Sequence, residues 1–230
     1  PGLDDPTGRM PIEDFDVYIK DVRDAQQQYK QDIEILFGLE ADYLPPFQDY
    51  IVDFIEQYPF DFVIGSVHFI DDWDFSNPVY RDEFVRRGVD TSFQTYYRLV
   101  EEAVESGCYD IIGHLDLINR YGYTPSFDLD PLLTAVLENV QRSGCALDMN
   151  TSGLRKGVGT IFPGISILSR AQRLGIPLVP GSDAHHPGDV GADFDRAGKM
   201  LAGIGFKQSM FFRNRKPEYE PFLNSVNGTR

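Results

Sequence analysis

The sequence is poor in cysteine and in long apolar segments, and each shortage excludes a class of protein. Two cysteines in 230 residues, Cys108 and Cys145, are too few for a disulfide framework and lack the spacing of a thiolate zinc site. We expect both to be small residues of the core. No apolar run approaches the roughly 18 residues of a membrane span, and no signal-peptide pattern is present. These absences favour a soluble, cytoplasmic protein.

Basic residues are also scarce. Acidic residues outnumber them by 36 to 21, which gives a formal net charge of -15. A field of this sign repels polyanions, so it disfavours a role in nucleic-acid binding, although it permits a local basic pocket for one phosphate. Hydrophobic residues make up 42% of the chain, which is enough for a substantial core. We therefore interpret residues 1–230 as a single domain.

Apolar spacing along the chain predicts strands that alternate with helices. A helical stripe predicts a first helix over residues 13–30. Pro163 lies near the start of a later predicted helix and Gly175 just past its end, which are the usual positions of these residues. Six apolar segments predict strands, with helices between most of them: 33–40, 61–69, 110–115, 145–150, 176–181 and 208–212. This alternation implies a parallel sheet covered by helices.

The lack of a glycine-rich phosphate loop favours a barrel over an open sheet. A doubly wound sheet normally carries such a loop after its first strand, and neither G-x-G-x-x-G nor G-x-x-x-x-G-K-[ST] occurs here. The longer connection from Asp71 to Asp90 is then predicted to lie over one end of the barrel. Its Trp73, Phe75 and Tyr80 are expected to form a lid or a wall.

All four histidines lie at or just beyond the C-terminal end of a predicted strand. They are His68, His114, His185 and His186, and Glu40 ends its strand in the same way. In barrels these strand ends converge on the active site. A lone histidine on an apolar strand is more often a core residue, but three strands that each place histidine near carboxylate predict a metal site. Imidazole and carboxylate suit Zn²⁺, Mn²⁺ or Fe²⁺.

Carboxylates beside the histidines complete the predicted site. In Asp183-Ala-His185 the two side chains at i and i+2 of a strand point to the same face. One carboxylate can also bridge two ions that are held about 3.5 to 4 Å apart. Asp183 and Asp116 have an alternative role as helix caps.

A polar loop from Asp148 to Gly157 follows another predicted strand. It combines hydroxyl groups, the Asn150 amide and the adjacent cations Arg155 and Lys156. An arginine can hold two oxygens of a phosphate monoester at once. The alternative is a polar turn with a solvated Arg-Lys pair, but the neighbouring metal cluster favours anion binding.

Five motifs, in this order, resemble those of the polymerase and histidinol phosphatase (PHP) superfamily of metal-dependent phosphoesterases, and most closely its monofunctional histidinol-phosphatase branch. The resemblance covers nearly the whole chain. The motifs are Gly38-Leu-Glu40-Ala-Asp42-Tyr43, Gly65-Ser-Val-His68-Phe-Ile70, Gly113-His114-Leu-Asp116, Asn150-Thr-Ser-Gly-Leu-Arg155-Lys156 and Gly181-Ser-Asp183-Ala-His185.

The resemblance implies an α/β fold, a distorted (β/α)7 TIM-like barrel, and an enzyme. Its implied reaction is hydrolysis of L-histidinol phosphate to L-histidinol and phosphate in histidine biosynthesis, with a small phosphorylated substrate as the partner. Two alternatives stay open: a phosphoesterase of the same superfamily for a nucleotide or sugar phosphate, and an inactive fragment or non-catalytic relic of the barrel.

The resemblance also assigns roles to matched residues. It implies two or three divalent metal ions, with Glu40 as the bridging carboxylate. His68 and His114 bind the second ion, Asp183 the first and His185 the third. The implied catalytic residues are Glu40, Asp183 and Arg155.

Substrate contacts follow from the same resemblance. Arg155, with Lys156 and Asn150, is expected to hold the phosphate. His186 has no firm counterpart in the family, and it is either an outer-shell or substrate contact or an exposed residue.

The sequence departs from the family at its start. The family begins with a strand that carries His-x-His, and no such motif occurs in these 230 residues. The chain therefore corresponds to the family fold from its third unit onward. Either the native protein continues upstream of Pro1 or it has lost half of the metal cluster. For this chain alone we expect weak metal binding and an exposed apolar barrel interior.

Overall fold

The computed structural model describes residues 9–222 and contains a central sheet of five parallel strands. Their spatial order is β1, β2, β5, β6, β7, so neighbouring strands follow the order of the chain. Two small antiparallel pairs, β3 with β4 and β8 with β9, lie outside this sheet. The strands are β1 (Gly38–Asp42), β2 (Phe62–Ser66), β3 (Phe69–Ile70), β4 (Trp73–Asp74), β5 (Ile111–Ile112), β6 (Ala146–Asn150), β7 (Leu178–Gly181), β8 (Gln208–Arg213) and β9 (Lys216–Pro221).

Helices connect most of these strands, which confirms the predicted α/β class with a parallel sheet. Gly175 adopts the left-handed conformation that ends the helix Ile165–Leu174, as its predicted position requires. Within residues 9–222, none of the helices combines the length and apolar character that crossing a membrane demands. The helices are α1 (Phe15–Tyr29), α2 (Gln48–Glu56), α3 (Glu83–Arg87), α4 (Val89–Glu105), α5 (Asp130–Ser143), α6 (Ser152–Arg155), α7 (Ile165–Leu174) and α8 (Phe194–Ile204).

The first strand begins later than the sequence predicts. Strand β1 starts at Gly38 rather than at Ile33. Ile33 is exposed, and the carbonyl of Ile35 accepts a hydrogen bond from the Gln26 side chain instead of a neighbouring strand. Residues 33–37 therefore precede the strand, and only residues 38–40 of the predicted segment belong to it.

The two faces of the central sheet have different neighbours, as the alternation of side chains along a strand requires. One face packs against the helices through residues such as Val63 and Leu147. The other face carries a smaller cluster in which Met210 and Phe212 of β8 contact Ile111 and Ala146. Residues 208–212 thus form a strand as predicted, but β8 pairs with β9 in a hairpin and does not extend the parallel sheet.

The hairpin limits the exposure of the apolar interior that the sequence predicts for this chain. Ile111 and Ala146 are buried in one cluster with Met210 and Phe212 of β8, whereas Phe62, Ile64 and Val179 around them are only half-buried. Within the described residues the five-stranded sheet has β1 and β7 at its edges, and no strand pairing closes it into a barrel.

Truncation of Met210 to alanine tests this packing. Met210 is buried against the sheet, and removal of a buried methionine side chain leaves a cavity, so we expect a loss of about 2 kcal/mol in the free energy of unfolding. The urea midpoint measures the effect. Gln208→Ala is the control because Gln208 lies on the same strand and is exposed. Equal stabilities of the two variants would contradict the packing of β8 on the sheet.

The connection from Asp71 to Asp90 contributes three buried aromatic side chains to the core, whereas most of its other residues are exposed or half-buried. Trp73 and Phe75 are buried, and their rings meet Phe84 of α3 edge to face, whereas Tyr80 is largely exposed. The backbone N–H of Phe75 also donates to the carbonyl of His68. The short β3–β4 hairpin folds these aromatic rings inward, so they support the segment that contains His68.

Both cysteines are free, as predicted. Cys145 is buried in the main core, and Cys108 is half-buried at its edge. The core role predicted for Cys145 is thereby confirmed, while Cys108 only packs against the core.

Candidate metal centre

Three of the five predicted metal ligands come together at the C-terminal edge of the sheet. Glu40 lies on β1, His68 follows β2 by two residues, and His114 follows β5 by two residues. One ligand atom from each lies within 4.8 Å of the others. Nε2 of His114 is 3.2 Å from Oε1 of Glu40, and Nε2 of His68 is 3.8 Å from the same oxygen. The parallel strands thus deliver one carboxylate and two imidazoles to one point.

These separations fit a divalent cation. Two donors that are each about 2.1 Å from one ion lie between about 3 and 4 Å apart, depending on the angle at the ion. The two distances to Glu40, 3.2 and 3.8 Å, fall in this range. One carboxylate oxygen and two imidazole nitrogens also form a donor set that Zn²⁺ and similar first-row ions accept. The residues present therefore fit a metal ion.

Glu40 is held as an ionised carboxylate. Burial alone would raise its pKa, but the hydrogen bond and charge of His114, the charge of His68 and the hydrogen bond from Ser66 hold the pKa of Glu40 below its usual range. Ser66 donates from Oγ to Oε1 of Glu40 at 2.7 Å. Gly113 makes this contact possible, because a Cβ at position 113 would lie 2.2 Å from Oγ of Ser66.

A second carboxylate contacts the other ring nitrogen of His68. Nδ1 of His68 is 2.6 Å from Oδ1 of Asp42, and Nε of Arg9 is 2.9 Å from Oδ2 of the same residue. Burial would lower the pKa of His68, but Asp42 and Glu40 outweigh it and raise the pKa. Asp42 is not among the predicted site residues, although its spacing from Glu40 by two residues on one strand indicates that both side chains share a face.

Asp148 is a second residue of the site that is not among the predicted site residues. Its Oδ2 accepts hydrogen bonds from the backbone N–H of His114 at 3.3 Å and from Nδ2 of Asn150 at 2.9 Å. Burial raises the pKa of Asp148 to about 6, against the opposing effects of His114 and Asn150. Gly181 leaves room for this carboxylate, because a Cβ there would lie 2.2 Å from Oδ1. Asp148 thus holds the backbone of His114, one of the three residues that fit a metal ion.

Asp116 stands at the N-cap position of the 3-10 helix Leu117–Tyr121, but its side chain makes no capping hydrogen bond to that helix. Its Oδ2 instead accepts from the backbone N–H of Gly164 at 3.0 Å, immediately before α7 begins at Ile165. Burial raises the pKa of Asp116 to about 6, although the N–H of Gly164 and the Asn119 amide oppose the rise. This carboxylate therefore ties the turn after His114 to the start of a helix.

Asp183 and His185 lie outside the three-residue group. Asp183 accepts a hydrogen bond at Oδ2 from Oγ of Ser152 at 2.9 Å, and its backbone has a φ of 50°. The His185 side chain is 82% exposed, with Nδ1 at 3.0 Å from the carbonyl of Asp183. His186 is exposed too, and its Nδ1 accepts from the backbone N–H of Gly188. Within residues 9–222, only Glu40, His68 and His114 are grouped closely enough to share an ion.

The predicted phosphate-binding residues follow β6. Arg155 ends the single-turn helix α6 and donates from Nη2 to the carbonyl of Ser182 at 2.5 Å. Lys156 donates from Nζ to Oγ of Ser152 at 3.1 Å and lies 3.5 Å from Oδ2 of Asp183. Lys156 thus pairs with Asp183 itself, and Arg155 contacts the residue that precedes it.

Asn150 is placed differently from these cations. It is buried, and its amide donates to Asp148 and accepts from the backbone N–H of Ser152. Its amide therefore holds the turn from β6 into α6 through contacts within the protein.

Comparison with known proteins connects this geometry to a family. The family model described as "PHP domain" matches residues 7–152. A probable histidinol-phosphatase from Deinococcus radiodurans is 38% identical over 209 residues, which are 90% of this chain and 79% of the relative. The histidinol-phosphatase of Bacillus subtilis is 31% identical over 217 residues, covering 85% of this chain and 81% of the relative.

A solved structure has the same fold. The crystal structure of histidinol phosphate phosphatase from Lactococcus lactis, complexed with zinc, L-histidinol and phosphate, superposes with a TM-score of 0.73 at 24% sequence identity. The match covers 89% of this chain and 79% of that one. At this identity the likeness concerns the fold.

Proposed function

The chain belongs to the PHP domain family, in its histidinol-phosphatase branch, and from this premise we propose that it hydrolyses L-histidinol phosphate to L-histidinol and inorganic phosphate. The observation that carries the proposal is the convergence of Glu40, His68 and His114 in a chain 38% identical to a probable histidinol-phosphatase. The reaction places the enzyme in histidine biosynthesis. We propose further that residues 1–230 belong to one domain.

The proposed cofactor is a cluster of two or three divalent ions, Zn²⁺, Mn²⁺ or Fe²⁺. Glu40, His68 and His114 would hold one ion, and Asp183 and His185 are the proposed ligands of the others. When bound, such ions lower the pKa of coordinated water, so that hydroxide is available near neutral pH. Zinc is present in the complex of the Lactococcus lactis enzyme, which supports it as the first metal to test.

Arg155 is the residue proposed to bind the phosphate. Its guanidinium has two longer ionic contacts, 3.6 Å to Oδ1 of Asp189 and 3.9 Å to Oδ2 of Asp193. Both exceed the usual length of a charge-assisted hydrogen bond, so the guanidinium retains donor capacity for a phosphate. Lys156 adds a second positive charge from the same loop. These two cations orient the phosphoryl group and stabilise the negative charge on its oxygens.

The acidic surroundings of Arg155 suit a substrate that also carries a cation. L-histidinol phosphate has an amine besides its phosphate. Asp189 and Asp193 lie beside the proposed phosphate site, and their carboxylates would attract this amine once Arg155 has turned to the phosphate. A simple nucleotide or sugar phosphate has no such amine, so the same carboxylates would disfavour it.

Removal of the metal tests the proposed function. We expect protein treated with a chelator to release no phosphate from L-histidinol phosphate, and activity to return when Zn²⁺ or Mn²⁺ is added. A nucleoside monophosphate and a sugar phosphate should each give a kcat/KM at least about tenfold lower than that of L-histidinol phosphate, which is equivalent to a difference of about 1.4 kcal/mol. The assay should use the chain together with any residues that its gene encodes upstream of Pro1.

Three outcomes would contradict this function. Activity that persists in the chelated protein would exclude the metal mechanism. A higher kcat/KM for the nucleotide or sugar phosphate would assign the protein to another phosphoesterase activity of the same family. Metal analysis of the purified protein gives an independent measure, and less than one ion per chain would argue against catalysis by this chain.

A further inference from the structure

A line of charged contacts connects the N-terminal segment to the metal centre. Arg9 precedes α1, and its Nε is 2.9 Å from Oδ2 of Asp42 on β1. The other oxygen of Asp42 is 2.6 Å from Nδ1 of His68. The opposite ring nitrogen of His68 faces Glu40 at 3.8 Å. Each oxygen of Asp42 therefore has one partner, and one of these partners is a proposed metal ligand.

The contact with Asp42 determines which nitrogen of His68 carries the proton. An ionised carboxylate only accepts hydrogen bonds, so Nδ1 of His68 must donate. In a neutral imidazole the proton then resides on Nδ1, and Nε2 keeps a free lone pair. Nε2 is also the atom that faces Glu40, so the tautomer favoured by Asp42 is the one that can bind a metal at this point.

Arg9 holds Asp42 in the orientation that this contact requires. The side chains of Arg9 and Asp42 are only 29% and 15% exposed, so the pair is partly shielded from water. The guanidinium of Arg9 also lies over the ring of Phe69, 4.0 Å from its centre, and Phe69 directly follows His68. Arg9 thereby contacts both Asp42 and the neighbour of His68, which fixes the two segments relative to each other.

We propose that Asp42 is a positioning residue, which, held by Arg9, fixes the orientation and tautomer of His68 for metal binding. The inference rests on the proposed function only in that His68 is a metal ligand. Carboxylates behind metal-binding histidines commonly contribute about 10- to 100-fold to metal affinity. Asp42 itself contacts neither the substrate nor the reacting atoms in this role.

The variant Asp42→Asn separates this role from mere packing. Asparagine keeps the shape but offers both a donor and an acceptor, so it no longer requires a proton on Nδ1 of His68. We expect Zn²⁺ affinity, measured by competition with a coloured chelator in the absence of substrate, to fall about 10- to 100-fold. The ¹⁵N shifts of the His68 ring in metal-free protein, assigned against His68→Gln, should show a gain of the tautomer protonated at Nε2.

Three further variants complete the test. Asp72→Asn is the matched control, because Asp72 also pairs with an arginine, Arg87, but its side chain is 80% exposed and it is not one of the residues that contact His68 or His114 in the described part of the chain. It should leave both measurements unchanged. Asp42→Glu should retain the Nδ1-protonated tautomer and recover part of the affinity. Arg9→Gln should weaken Zn²⁺ binding less than Asp42→Asn does, because the carboxylate remains but is less firmly held.

Several results would overturn the inference. Wild-type Zn²⁺ affinity in Asp42→Asn would do so, as would reduced affinity with an unchanged His68 tautomer, which would indicate a structural role alone. If Asp42→Asn fails to fold, Asp42→Glu and Arg9→Gln decide, and unchanged affinity in both would reject the proposal. Because no substrate is present, a failure to hydrolyse L-histidinol phosphate would refute the proposed function while leaving this result intact.

Discussion

Replacement of Glu40 by glutamine is expected to lower kcat/KM for phosphate release by about three orders of magnitude, equivalent to about 4 kcal/mol. Glu40 is the residue that both His68 and His114 face, at 3.8 and 3.2 Å. Glutamine preserves the shape of the side chain but removes the negative charge that would bind a cation. The loss should therefore appear both in metal content and in turnover.

The control for this variant is Glu56→Gln. Glu56 is the exposed last residue of α2, so the same chemical change there should leave activity and metal content unaltered. Metal content and initial rates are measured side by side on both variants. Full activity of Glu40→Gln, or of His114→Ala, would be incompatible with a metal centre at these residues.

Replacement of Gly153 by alanine is expected to cost about 3 kcal/mol in the free energy of unfolding. A Cβ at this position would lie 2.1 Å from the backbone carbonyl oxygen of Thr160 and 2.9 Å from the ring of Phe162. A backbone carbonyl cannot turn aside as a flexible side chain can, so the turn itself must move. Gly153 lies in α6, two residues before Arg155, and we expect kcat/KM to fall more than about tenfold as the guanidinium shifts.

Gly157→Ala provides a close control for this second variant. Gly157 lies on the same loop, and a Cβ there would meet no atom within 4 Å. Its stability should stay within about 0.5 kcal/mol of the wild type. Urea unfolding and steady-state kinetics measure both effects. Equal behaviour of the two alanine variants would mean that α6 does not require its close approach to Thr160.

The parallel sheet was predictable because its strands are short, largely apolar segments that alternate with amphipathic helices. In segment 145–150 only Asp148 and Asn150 are polar, and segment 176–181 has no polar side chain, so the positions of both strands follow from the sequence. The convergence of Glu40, His68 and His114 was predictable for a related reason. Parallel strands all end at one edge of the sheet, so residues at their C-terminal ends become neighbours without further information.

The hairpin partner of β8 was not predictable in the same way. Strand β9 has the sequence Lys-Pro-Glu-Tyr-Glu-Pro, and all six of its residues are exposed. A strand with no buried face has no apolar alternation, and proline within a segment argues against a strand except at an edge. Nothing local in residues 216–221 therefore distinguishes this edge strand from a loop.

The roles of Asp42 and Asp148 depend on contacts between distant parts of the chain. Asp42 is 26 residues from His68 in the sequence, and Asp148 is 34 residues from His114. An acidic residue next to a motif is common on any protein surface. Only the register of β1 with β2, and of β5 with β6, brings each of these carboxylates to a histidine.

The buried aromatic cluster beside His68 has a spectroscopic consequence. Trp73 is the only tryptophan of the chain, and it packs against Phe84 with ring centres 4.6 Å apart. Its indole N–H donates to the carbonyl of Tyr80, and the backbone N–H of Phe75 donates to the carbonyl of His68. Tryptophan emission therefore reports on the segment that supports a metal ligand, whereas far-ultraviolet circular dichroism averages over the whole backbone. Comparison of the two signals distinguishes local loosening next to His68 from unfolding of the sheet.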